Sequence, residues 1–374
     1  MAFSAVQQVA VIGAGLAGAS CARALTLEGR SAHVFDKSRG PGGRLATRRL
    51  EWVDRLGQTC TTRFDHGAVG ITARSAPFQA FVDEALRAGR LAEWAPALAA
   101  GSLPAEAGER SYVPVPDMPS LCRRQLVGAA ATWSFAVNGL HKGALGWQVQ
   151  AGSERHPKPF DAVVLALPPV QAAALLCLHR RDWARHASMA PMQPCWTLMG
   201  IADTSKDALE PGPGWDLARP PTGPLDWVLR NDARPGRARV SGQAHWVLHA
   251  RLGWSRRHLE QPAVWVQQQM QAALVDYLGR PVDWHHCAVH RWRYALPRAQ
   301  KIAAAESFWW DAAQGLGVCG DFLGGSGSSG VEGAWLSAQS LSAAMLQRGS
   351  DAGQSSTAPA AHEALHQTVR HLAA

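Results

Sequence analysis

The sequence predicts an α/β protein: a Rossmann-type dinucleotide-binding domain, discontinuous in the chain, joined to a β-rich α+β second domain. Three observations predict it. A G-x-G-x-x-G fingerprint separates a short apolar strand from a helix near the N-terminus. A second glycine-rich strand, loop and helix follows near the other end of the chain. Between them lie short apolar segments broken by turn residues, the pattern of a sheet-rich domain.

The elements follow in order. Residues 8–12, with Val9-Ala10-Val11-Ile12, read as a buried strand, 16–28 as a helix with small residues on one face, and 32–36 as a second strand. Gly13 makes the tight turn, Gly15 lets the backbone approach a pyrophosphate, and Gly18 allows close helix packing; Ala14 and Ala17, between them, are expected to line the cofactor as well. Asp36, 18 residues after Gly18, is placed to accept from a ribose hydroxyl. The fingerprint alone also suits a turn used only for packing; the flanking strands and the acid favour a dinucleotide. Further on, the pattern predicts helices near 78–88, 120–130 and 262–278. Strands are expected at 133–137, 145–150, 162–167, 225–230 and 243–251, with apolar segments at 286–294 and 315–319. Residues 95–117 and 203–224 are breaker-rich connections, and 350–374 reads as a flexible C-terminal tail.

Composition narrows the function classes. Apolar residues make up 47% and charged residues 18%, the balance of a globular protein rather than a disordered one. The net charge of +8 raises nucleic acid as a partner, but the basic residues are scattered in ones and twos, which reads as a solvated surface. The expected partners therefore exclude nucleic acid and membrane. Seven cysteines form no CxxC or metal spacing and suit reduced thiols in a cytoplasmic protein. No apolar run reaches the length of a membrane span. Sixteen tryptophans outnumber tyrosine and phenylalanine together, and twelve of them lie between Trp183 and Trp335. Singly each reads as core packing; as a set they suggest an aromatic wall for a flat ring.

The segment after Asp36 points to FAD. Asp36-Lys37-Ser38-Arg39-Gly40-Pro41-Gly42-Gly43-Arg44 resembles the acid-then-GGR segment of FAD-binding oxidases of the amine-oxidase and related families. Gly43 would let the chain pass a diphosphate and Arg44 would neutralise it. Near the C-terminus, Gly320-Asp321 ends a strand, and a helix beginning around Gly333 follows Val331-Glu332. In such enzymes the Gly-Asp carboxylate lies near the ribityl chain and the helix N-terminus faces the flavin pyrimidine, where its positive end suits a reduced ring.

The segments Phe64-Asp65-His66-Gly67-Ala68, Pro224-Leu225-Asp226-Trp227, Trp246-Val247-Leu248-His249-Ala250, His290-Arg291-Trp292-Arg293-Tyr294 and Val331-Glu332-Gly333-Ala334-Trp335, together with the glycine-rich start, resemble bacterial renalase-like flavoproteins from about residue 8 to 346. The resemblance implies an FAD oxidase that takes a hydride from a 2- or 6-dihydro isomer of NAD(P). It also implies that dioxygen reoxidises the flavin to give hydrogen peroxide. It places Val137 in the strand that touches adenine. It assigns His249 as catalytic residue, with a hydrogen-bonded strand histidine as the plain alternative, and Trp254, Trp292 and Tyr294 as substrate contacts. Two departures accompany it. Val69-Gly70-Ile71 stands where the family has Gln-Tyr-Phe, and the Gly324–Gly330 loop lacks the family's tryptophan and basic residue.

Two other functions remain open: an amine oxidase or other FAD oxidoreductase, and a flavin-binding protein without turnover. The expected organisation is an FAD-binding domain from 1–72, 118–177 and 287–349, and a substrate domain from 73–117 and 178–286.

Overall fold

The computed structural model describes residues 6–102, 110–203, 214–298, 306–323 and 330–347. The chain opens with β1 (Gln8–Ile12), α1 (Leu16–Leu27) and β2 (Ser31–Phe35). A hairpin of β3 (Thr47–Val53) and β4 (Thr59–Asp65) follows, then α2 (Ala76–Arg87), the short pair β5 (Leu91–Glu93) and β6 (Tyr112–Pro114), and α3 (Ser120–Gln125). Next come β7 (Ala130–Thr132), a meander of β8 (Gly139–Gly143), β9 (Gly146–Ala151) and β10 (Glu154–Arg155), β11 (Ala162–Leu165), α4 (Pro169–Leu176) and α5 (Arg181–Met189). The remainder is β12 (Met192–Asp203), β13 (Leu217–Ala218), β14 (Leu225–Arg230), β15 (Gln243–Ala250), α6 (Leu252–Arg257), α7 (Ala263–Leu278), β16 (Trp284–Pro297), β17 (Phe308–Asp311), β18 (Leu316–Cys319) and α8 (Gly330–Leu346).

Two sheets organise these elements. The first has six strands in the order β17-β18-β11-β1-β2-β7, parallel except at the β17 edge. Its central strands carry apolar residues on both faces, because both faces are covered. The α1 and α8 helices cover one face, with Ala19, Ala22, Ala338 and Leu341 in the contact; the meander, Trp147 and α4 cover the other. Chain segments from both ends thus build one sheet, as the paired glycine motifs predict.

The second sheet is antiparallel, in the order β13-β14-β15-β12-β16. Its strands alternate, so each face has its own core. Trp196, Leu198, Trp246 and Leu248 pack beneath α7, while Met199, Ile201, Val247 and Leu229 pack against the β3–β4 hairpin. The α7 helix stops at Gly279, whose φ of +66° closes the last turn.

Several expectations need correction. Residues 287–297 belong to the second sheet, not to the nucleotide domain, because β16 pairs with β12 along nearly its whole length. The α2 helix lies with α1 and α8 rather than with the substrate elements, since Phe78 and Phe81 bury against Trp335. The third parallel strand is 130–132; residues 133–137 leave it through a turn at Ser134, φ +56°. The helix expected over 120–130 ends at Gln125, and the last one starts at Gly330. The β12 strand and the β3–β4 hairpin are additions to the predicted elements. The 350–374 tail and residues 324–329 of the glycine-rich loop lie outside the described residues, as do residues 204–213 of the long connection.

Candidate active site

The nucleotide cradle forms where β1 turns into α1. At Gly13, φ +108°, a Cβ would come within 2.4 Å of the Ala166 carbonyl oxygen, and at Gly18 within 1.8 Å of the Gly13 carbonyl oxygen. Both positions therefore require glycine for packing. Gly15 differs: a Cβ there would meet only the Gly43 Cα, at 3.9 Å. The chain is thus approachable at the start of α1, whose N-cap, Gly15, carries no side-chain cap. First-turn N–H groups, which a helix leaves without partners of its own, and the helix dipole suit an anion there. The second glycine segment joins it, with Gly42 N–H donating to the Ala14 carbonyl at 2.9 Å. Asp36 fastens the two loops, accepting from Ala14 N–H through Oδ2 and from Ser38 N–H through Oδ1, each at 2.7 Å. Backbone donors at a glycine-lined helix start fit the pyrophosphate of a dinucleotide such as FAD.

At the far end of the first sheet, Gly320 donates its N–H to Ser337 Oγ at 2.9 Å and presents Asp321. The Asp321 carboxylate, 2% exposed, receives both terminal nitrogens of Arg44 at 2.7 and 2.6 Å. Burial works against the Arg44 charge, but Asp321 outweighs it and raises the guanidinium above its ordinary value. The same guanidinium donates to the Ala295 carbonyl at 3.1 Å. Arg44 therefore joins the glycine segment, the Gly-Asp turn and β16 of the second sheet.

Along β16 the site continues as a cluster of rings. In the second sheet Trp227 pairs with His249, Thr197 pairs with His249 on one side and His290 on the other, and all four share a face. His66, just after β4, lies 4.9 Å from the His290 ring and 5.0 Å from Trp292, whose indole N–H donates to the His66 carbonyl at 3.0 Å. Burial first, then neighbouring cations, hold the imidazoles uncharged at neutral pH. His66 is lowered to about 3, with His290 and Arg48 adding to burial. His249 is lowered to about 4, with Arg234 opposing its charge, against a hydrogen bond to the His66 backbone. His290 is lowered to about 4 by burial and Arg48. Three atoms in this cluster, His66 Nδ1, Thr197 Oγ1 and His249 Nε2, are buried without a hydrogen-bond partner among the described residues.

A charged layer lies behind the rings. Asp65 Oδ2 meets Arg237 Nη2 at 2.5 Å and Arg234 Nη1 at 3.3 Å, while Oδ1 accepts from Thr47 Oγ1 at 2.5 Å. Arg234 also donates to the Val69 carbonyl at 2.5 Å. Burial pushes Arg234 down to about 10 despite the pull of Asp65. Two guanidiniums on one carboxylate leave the layer net positive.

The structure brings together Gly13, Ala14, Gly15, Ala17, Gly18, Asp36 and Gly43 at the cradle, and Gly320, Asp321 and Arg44 at the junction; Lys37 is exposed beside Asp36. Val331 and Gly333 occupy the first turn of α8. His249 and Trp292 fall in the ring cluster, and Tyr294 lies two residues beyond Trp292 on β16. Arg44 pairs with Asp321, because a carboxylate so buried needs a counter-charge. Three readings change. Glu332 accepts from Arg74 N–H at 3.1 Å and Ser75 N–H at 2.7 Å, so it fastens the start of α2. Val137 stands in the loop after β7, not in a strand. Trp254, stacked 6.1 Å from Trp265, packs with Leu248 and Trp196 beneath α7, the opposite face from His249. Sequence reasoning assigned no role to His66, Thr197 or His290. The continuous apolar run of β12 was the available signal for Thr197.

Comparison with known proteins agrees with this geometry. The family of NAD(P)-binding Rossmann-like domains matches residues 11–85. Among solved structures, a protein from Exiguobacterium sp. 255-15 provisionally named a protoporphyrinogen oxidase superposes with a TM-score of 0.63 at 12% identity, covering 91% of this chain and 98% of its own. Putrescine oxidase bound to putrescine gives 0.59 at 13% identity, covering 91% and 99%. An oxidoreductase from Methanosarcina mazei gives 0.56 at 15% identity, covering 90% and 99%. The chain shares the fold of these three proteins, with a Rossmann-like nucleotide domain at its start.

Proposed function

We propose that this chain is an FAD-dependent oxidoreductase of the amine-oxidase-related type, with a renalase-like reaction: dihydro-NAD(P) in its 2- or 6-isomer, dioxygen and a proton give NAD(P)+ and hydrogen peroxide. The observation that carries the reading is the joining, through Arg44, of a dinucleotide cradle to a wall of uncharged rings, His66 and His249 buried and His290 and Trp292 half-buried. Residues Gly13–Gly18 and Gly42–Gly43 would hold the FAD pyrophosphate, and Asp36 its ribose. Bound FAD supplies a two-electron acceptor.

The protein's own residues then have to bind and orient a flat ring and exclude water. Trp292, anchored on the His66 carbonyl, offers one wall. His66, Thr197 and His249 offer hydrogen bonds without charge. Hydride loss from a dihydronicotinamide requires no general base, and imidazoles held far below neutrality offer orientation rather than proton transfer. An amine fits less well, because Arg48 and the net-positive Asp65 layer oppose an ammonium ion.

The experiment is anaerobic mixing of the yellow holoprotein with 6-dihydro-NAD and, separately, with a panel of amines. Rapid bleaching of the flavin by the dihydronucleotide alone is expected. Bleaching by an amine alone would replace the reading with amine oxidation, and bleaching by neither would favour a flavin-binding role without turnover.

A further inference from the structure

Arg48 points the wrong way for a surface arginine. It lies on β3 in alternation with Leu50 and Trp52, both buried against the second sheet, and its cross-strand partner is the buried Phe64. The period of a strand therefore turns Arg48 toward the packed face of the hairpin, where it is half-buried. Trp52 meets His285 at the start of β16, with ring centroids 5.5 Å apart, so the hairpin runs beside β16 and carries Arg48 to the His290 end.

Among the described residues the Arg48 guanidinium has no hydrogen bond and no ion pair, whereas four other inward arginines face a carboxylate. Arg44 has Asp321, Arg230 has Asp232, and Arg234 and Arg237 share Asp65. An inward guanidinium without a counter-charge is costly unless something supplies the charge.

A second observation points to the same place. The unpartnered atoms His66 Nδ1, Thr197 Oγ1 and His249 Nε2 belong to side chains that are at least nine-tenths buried. They surround His290, which register and ring contacts place next to Thr197 and His66. A guanidinium, a hydroxyl and neutral imidazoles are a donor set. The carboxylate that adjoins His66 in sequence, Asp65, is taken by two arginines and a threonine. Such a set receives an anionic oxygen group and repels an ammonium ion.

We infer that Arg48 selects the charge of the substrate, receiving a phosphate or carboxylate group of the molecule oxidised while His66 and Thr197 donate beside it. This deepens the dihydronicotinamide reading and rests on it.

The test measures binding to the holoprotein through the visible spectrum of its flavin, so it does not need turnover. The probes are NAD+, nicotinamide mononucleotide, nicotinamide riboside, inorganic pyrophosphate, nicotinate and nicotinamide. In the wild type the phosphorylated probes are expected to bind at least tenfold tighter than the riboside if the group is a phosphate; nicotinate should exceed nicotinamide by a similar factor if it is a carboxylate. Arg48→Met should abolish that preference and leave the binding of nicotinamide, the uncharged probe, unchanged. Arg48→Lys should retain part of it, and carries the same comparison if the methionine variant does not fold. Equal weakening of the anion-bearing probes and of nicotinamide, or none, overturns the inference. Binding of pyrophosphate or nicotinate that depends on Arg48, in a protein that oxidises no dihydronicotinamide, would keep the anion site and sink the substrate reading. No anion binding by the wild type would remove the anion site whatever the turnover result.

Discussion

Arg44 and Asp321, 277 residues apart in sequence, form a two-point ion pair at 2.6 and 2.7 Å that links the nucleotide cradle to the end of β18. The pair also reaches the second sheet through the Ala295 carbonyl. Its asymmetry matters. Asp321 is 2% exposed and Arg44 34%, so losing the arginine strands a buried carboxylate, while losing the aspartate frees a cation that water can reach.

Arg44→Met should therefore be the more damaging change. Purified Arg44→Met is expected to retain little flavin and to bind added FAD roughly tenfold more weakly or worse, the loss of a charge-assisted contact. Asp321→Asn should weaken FAD by a smaller factor. The ratio of flavin to protein absorbance after gel filtration checks the order; equal flavin content in both variants and the wild type would show that the pair does not support the cofactor site.

The three glycines of the fingerprint should separate into two kinds. Alanine at Gly13 or Gly18 drives a Cβ into a backbone carbonyl oxygen at 2.4 or 1.8 Å, and Gly13 also sits at positive φ. Those variants should be insoluble or unfolded. Gly15→Ala meets no protein atom closer than 3.9 Å and should fold with the wild-type circular dichroism spectrum while losing most bound flavin. A flavin-replete Gly15→Ala protein would mean that this backbone does not face the cofactor.

Those glycines were legible because their spacing reports a local turn, and the strands beside them carry uninterrupted apolar runs. The ring cluster was not, because it exists only through register. Thr197 meets His249 and His290 across two pairings that join segments some fifty and ninety residues away, and no local pattern states that register. Glu332 shows the converse. It adjoins the cofactor segment in sequence, but the helix turns its carboxylate toward the start of α2. Arg48 looks like any scattered basic residue until strand alternation shows which way it faces.

Two tryptophans that sequence reasoning grouped as substrate contacts should part company when replaced. Trp254 packs beneath α7 with Trp265 and His258, so Trp254→Ala should lower stability by about 2–4 kcal/mol and leave KM for the oxidisable substrate within about twofold. Trp292 stands against His66 and His290, so Trp292→Phe, which keeps a ring but loses the bond to the His66 carbonyl, should raise KM or slow flavin reduction by about tenfold. Denaturant melts and anaerobic stopped-flow traces separate the two effects. A kinetic defect in Trp254→Ala without loss of stability would return that residue to the site.

The buried imidazoles set a pH dependence whose sign follows from linkage. His66 and His249 titrate near 3 and 4 in the folded protein, against an ordinary value of 6.5. The unfolded chain therefore takes up protons first as pH falls below that ordinary value, and the folded state is penalised. Stability should be level above about pH 7 and should decline through the window from 6.5 to 4, at a limiting slope of about 2.7 kcal/mol per pH unit from these two groups. His249→Gln, which keeps a hydrogen-bonding side chain without a titrating ring, should flatten that slope by about half while lowering stability at neutral pH. The rate of anaerobic flavin reduction should meanwhile show no imidazole ionisation between pH 6 and 8, because the rings are already neutral there. Urea melts at half-unit intervals of pH measure the slope. An unchanged slope in His249→Gln would show that this histidine is charged in the folded protein, and the uncharged wall on which the oxidase reading depends would lose one of its members.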